Sequence, residues 1–90
     1  MVDQAQSGCA AWLTAEDPQA QINVRSGPGR QYASPHYGLV GDRVLIMPGK
    51  ADGLAIVTDR LGLSWVKVRF PNSGASGWVR RDLIGSFECG

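Results

Sequence analysis

Apolar and polar side chains alternate along several short stretches of this chain, and no window repeats them at the 3.6-residue spacing of a helix. The clearest stretch is Trp65-Val66-Lys67-Val68-Arg69-Phe70, where Lys67 and Arg69 alternate with Val66, Val68 and Phe70 across two faces. Ala20–Arg25 has the same period, which points Ile22 and Val24 inward and Asn23 and Arg25 outward. The apolar run Val44–Met47 and the restart Gly77-Trp78-Val79 read as further strands, and Ala10–Leu13 as a short first edge strand. Leu54–Thr58 is a candidate extra strand, and Arg80–Ile84 has room for a single 3₁₀ turn.

Turn formers separate these stretches. Asp17-Pro18, Gly27-Pro28-Gly29, Gly41-Asp42, Pro48-Gly49, Lys50–Gly53, Asp59–Gly62 and Pro71–Gly77 each interrupt the alternation. Residues 27–38 read as one long loop carrying Tyr32, His36 and Tyr37. Strands recurring at this spacing predict a small all-β barrel or sandwich.

Composition narrows the function classes. The 90 residues hold 12 glycines and 5 prolines, are 43% hydrophobic, and carry a net charge of +1. A chain of this length buries only about two-thirds of its unfolded surface, which leaves little stability for a deep catalytic pocket. The near-neutral balance argues against a surface that tracks phosphates, and aromatic and basic residues do not interleave as a nucleic-acid platform needs. No stretch is long and apolar enough to span a membrane. Met1–Ser7 lacks the apolar run of an export signal, which leaves a cytosolic protein or a mature exported form.

Cys9 and Cys89 lie near opposite ends of the chain and lack the C-x-x-C spacing of a metal or dithiol site. With one histidine they make a poor zinc set, so no metal and no cofactor is expected. Domain termini often lie close together, so a Cys9–Cys89 disulfide is expected, with two free thiols as the alternative. The bridge would place the protein outside the reducing cytosol.

The run Ile22-Asn23-Val24-Arg25-Ser26-Gly27-Pro28-Gly29 resembles the opening signature of bacterial Src-homology-3 domains. Leu39, Gly41, Val44 and Ile46 are similar to that family's second block, Trp65-Val66-Lys67-Val68 to its Trp-x-Lys-Val strand, and Gly77-Trp78-Val79 with Leu83 to its closing block. The likeness spans residues 20–84 of a single domain at 10–89, preceded by a polar tail at 1–9. It implies a strongly bent barrel of five to seven short strands, from which the long stretch 48–64 departs as an extended arm. Gly27 and Gly29 are expected to supply torsions closed to other residues. Trp78 is expected in the core or at the barrel rim.

The resemblance also implies a ligand groove beside the loop after the Gly-Pro-Gly turn. Tyr32, His36 and Tyr37 lie in that loop, Trp65 is a candidate floor, and Arg25 a candidate clamp for a carboxylate. The plainer reading leaves Tyr32 incidental and uses Tyr37 and Trp65 to close the barrel. His36 has no nucleophile to serve, so no catalytic residue is assigned. Arg80 and Arg81 read as a solvated pair beside Asp82.

Together these features predict a monomeric, non-catalytic module outside the cytosol, periplasmic or extracellular. Its expected partner is peptidoglycan, or another peptide ligand, in the company of a wall hydrolase or other protein. Two alternatives stand beside it. One is an interaction or inhibitory module docking on a protein through the arm, and the other, resting on fold analogy, is a binder of proline-rich peptide.

Overall fold

A computed structural model describes residues 8–49 and 53–89. These form eight antiparallel strands: β1 (Cys9–Trp12), β2 (Gln21–Val24), β3 (His36–Leu39), β4 (Arg43–Ile46), β5 (Ile56–Thr58), β6 (Ser64–Arg69), β7 (Ser76–Arg80) and β8 (Glu88–Cys89). A 3₁₀ turn at Arg81–Leu83 joins β7 to β8. The protein is all-β, as the alternation predicts. The main sheet runs β5-β6-β4-β1-β8 with β7 on the other side of β6, and β2–β3 is a separate hairpin. Paired backbone bonds between Arg25 and Trp78, 2.9 and 2.8 Å, join the hairpin to β7. The sheet thus bends round one core.

Period-two alternation builds that core. Ile22 and Val24 come from β2, Val44 and Ile46 from β4, Val66 and Val68 from β6, and Val79 from β7, each at most 3% exposed. Ala11 closes it from β1, and Leu13, just past that strand, bridges Ile84 after the 3₁₀ turn. β-Branched side chains on a pleated surface suit this packing. Gly77 is required by a close approach, because a Cβ there would lie 2.6 Å from Val24 Cγ1 and 2.8 Å from the Arg25 carbonyl oxygen.

The stretch 48–64 is an excursion from a single ladder. β4 pairs with the Val68–Arg69 end of β6 and β5 with its Ser64–Val66 end. Between them Met47 donates to the Lys67 carbonyl, Lys67 to that of Ala55, and Ala55 to that of Met47, at 2.9 to 3.0 Å. Pro48 bridges Leu54 across the base of the arm. The expected turn at Lys50–Gly53 falls largely outside the described residues, as does most of the polar tail.

Two expectations about β1 are corrected. Cys9, assigned to the tail by sequence, opens β1 and is 7% exposed. The strand is also not an edge, since β4 covers one side and β8 the other. The returning C-terminal segment supplies that second partner, a pairing across nearly the whole chain that no local pattern reveals. Cys9 faces Cys89 in this register and is disulfide-bonded to it, with Cα atoms 4.0 Å apart.

Candidate functional site

β3 begins at His36, so His36 and Tyr37 belong to a strand and not to the long loop expected from sequence. Its register with β2 sets Asn23 opposite Tyr37 and Val24 opposite His36. Pro35 and Gly38 disguise this strand as a loop. Gly38 is needed because Leu13 Cδ1 lies 2.5 Å from where its Cβ would be. Alternation then separates two of the candidates. Tyr37 shares the outward face with Leu39, whereas His36 falls on the other side with Gly38. Tyr37 is 58% exposed, Leu39 50% and Tyr32 41%.

Arg25 does not offer a free clamp, because it is committed to the loop. Its Nη1 donates to the carbonyls of Arg30 and Tyr32 at 3.2 and 2.9 Å. Ser34 Oγ lies 3.2 Å from Asn23 Oδ1 and donates to the His36 carbonyl at 2.9 Å. The segment 26–35 is therefore pinned to both strands. Gly27 is explained by space and not by torsion. Its φ is not positive, and a Cβ there would lie 2.6 Å from the Tyr32 ring, so Tyr32 lies flat over the turn.

Trp65 gives no groove floor. It is 2% exposed and lies outside the main core cluster. Its indole N–H donates to Asp59 Oδ2 at 2.9 Å, while Asp59 Oδ1 accepts from the Leu61 and Leu63 amides at 2.9 and 3.0 Å. One carboxylate thus folds the β5–β6 turn and satisfies a buried indole. The indole bond, with the backbone amides of Leu63, Leu61 and Gly62, holds the Asp59 carboxyl below the ordinary carboxylate range against an opposing desolvation effect. A side-chain acceptor six residues before the tryptophan was the available signal for this burial.

A cleft of about 630 Å³ lies elsewhere, on the outward face of β8, β1, β4 and β6. Ala10, Leu45, Met47, Arg43, Arg69 and Glu88 line it, and the register sets Glu88 on one outer strand and Arg69 on the other. Neither arginine has a carboxylate partner among the described residues. Arg80, by contrast, is spent on Asp82 through Nε and Nη2 at 2.8 and 2.6 Å. Arg81 donates to the Ile84 carbonyl and lies over the Phe87 ring. Sequence reading missed the cleft because its residues come from four strands. Among the described residues no group of three His, Cys, Asp or Glu could hold a metal ion. No helix among them is long and apolar enough to cross a membrane.

No family model matches this chain, and no solved structure matches it. A stretch of 62 residues, 69% of the chain, is 34% identical to part of serine/threonine-protein kinase D of Synechocystis sp.. The match covers 11% of that kinase, so this chain spans about a tenth of its length.

Proposed function

We propose that this chain is a non-catalytic recognition module of the bacterial Src-homology-3 type, acting outside the cytosol on cell-wall peptide. The observation that carries the reading is the rigid display of Tyr32 and Tyr37 on the β2–β3 hairpin. Both rings are exposed on a segment that Arg25 and Ser34 tie to two strands. Aromatic rings held this way bury much area on contact and lose little rotamer freedom. An extended peptide would lie along the face of Tyr37 and Leu39 and turn over Tyr32.

The Cys9–Cys89 disulfide supports an oxidising compartment. The likeness of 62 residues to one-tenth of a much longer kinase supports a part that attaches to proteins of other activity. Kinase chemistry is not proposed for this chain, since its Gly27-Pro28-Gly29 run lacks the third glycine of a phosphate-covering loop. Co-sedimentation with purified peptidoglycan sacculi tests the proposal. Wild type should pellet, and Tyr32→Ala with Tyr37→Ala should stay in solution while folded. Failure of wild type to pellet, or pelleting unchanged in the double variant, refutes it.

One observation favours a second reading, docking on a partner protein. Ile56 and Val57 on β5 and Leu61 in the following turn are 44%, 41% and 69% exposed. Exposed apolar residues at the end of a sheet suit a protein interface. Loss of a stoichiometric protein partner on Ile56→Ser with Leu61→Ser, with sacculus binding absent throughout, would favour this reading over the first.

A further inference from the structure

We infer that the cleft over β8, β1, β4 and β6 is a separate binding site for a short extended peptide with both ends free. Register places four side chains in one row across neighbouring strands: Glu88 opposite Ala10, Ala10 opposite Leu45, and Leu45 opposite Arg69. Ala10 is 7% exposed yet lies outside the main core cluster, as expected of the floor of a cleft on the outer face. Its small side chain makes the depression, and Leu45 and Met47 give it an apolar lining.

The charges are segregated along this row. Arg43 follows Leu45 on the same face of β4, so it is the diagonal neighbour of Arg69, about 7–8 Å away at the backbone. Both arginines line the cleft, Arg69 with its Nη2 beside Gly74 of the β6–β7 turn, so this end carries the positive charge that suits a carboxylate. Glu88 lies three strand spacings from Arg69, about 14 Å, and offers a carboxylate to an ammonium. An extended peptide advances about 3.3–3.6 Å per residue. A chain of about three or four residues with small apolar side chains spans that interval, its C-terminal carboxylate at the arginines and its amino group at Glu88. A single anion would leave Glu88 unused, and a single cation would meet the arginines. The cleft volume of about 630 Å³ lies within the range of small-ligand sites, about 300–1,000 Å³. The disulfide holds β8, and with it Glu88, against β1.

NMR titration of the intact protein with tetraalanine tests the inference, in free-ended, N-acetylated, C-amidated and doubly blocked forms. The free peptide should shift the amides of Ala10 and Leu45, and blocking either end should weaken binding at least about tenfold. Arg43→Gln with Arg69→Gln should equalise the acid and amide forms while keeping the preference for a free amino group. Glu88→Gln should do the converse. All three residues are exposed, so the fold persists. Equal binding of free and doubly blocked peptide, no shift at Ala10 and Leu45, or acetate binding as tightly as tetraalanine would overturn the assignment. Shifts confined to the amides of Tyr37 and Leu39 would place the contact on the hairpin and overturn it too.

Discussion

Removing the Cys9–Cys89 bridge should lower stability by an amount that chain statistics set in advance. The bonded residues are 80 positions apart, so the ring holds nearly all of the 90-residue chain. Closing a loop of that length removes about 15 cal/mol/K from the unfolded ensemble, or about 4.5 kcal/mol at room temperature. A domain of this size shifts its Tm by about 4–8 °C per kcal/mol, so the transition should fall by about 20–35 °C. That is a large fraction of the 5–15 kcal/mol typical of native domains. Thermal and urea unfolding of Cys9→Ala with Cys89→Ala, beside wild type, provides the measurement. Cys9 is buried in the core, so its replacement also leaves a small void. Wild type unfolded with and without a reductant isolates the ring term, because it keeps both sulfur atoms. A difference below about 1 kcal/mol between those two forms would refute the chain-entropy reasoning. It would mean that the unfolded chain already brings its ends together.

Two further expectations test the packing. Gly77→Ala places a Cβ against Val24 Cγ1 and the Arg25 carbonyl oxygen, and should cost about 1–3 kcal/mol in urea unfolding; Gly8→Ala, with open space around it, should be neutral within about 0.5 kcal/mol. Asp59 has a lowered folded-state pKa, so its contribution is present above the ordinary carboxyl pKa and is lost as pH falls through the lowered value. Urea unfolding as a function of pH should report this in acid, and Asp59→Asn should remove that part of the pH dependence.

The strands that alternate cleanly were legible because their partners do not affect the period. Ile22, Val24, Val66 and Val68 all point to the core as the pattern predicts. The arm was legible as surplus length, and the structure shows it as an excursion from the ladder on β6. What stayed hidden depends on long-range pairing. β3 carries a glycine for the sake of Leu13, far away in sequence, and so reads as a loop. β1 reads as an edge because β8, its second neighbour, is only two residues long. The candidate site divided in the same way. The exposure of Tyr32 and Tyr37 follows from their place on a hairpin, but the burial of Trp65 depends on a turn built round Asp59. The row from Glu88 to Arg69 exists only once four strands are in register.

The ring also has a mechanical meaning. Cys9 and Cys89 are joined covalently, and the ladders, the core and the hairpin all lie between them in the chain. Tension applied to the chain before Cys9 and after Cys89 passes through the sulfur–sulfur bond and bypasses the intervening backbone. The domain then hangs from the line of force as a pendant, and the strands between the two cysteines carry no load. A domain held this way keeps its fold while it is pulled, until the disulfide is reduced.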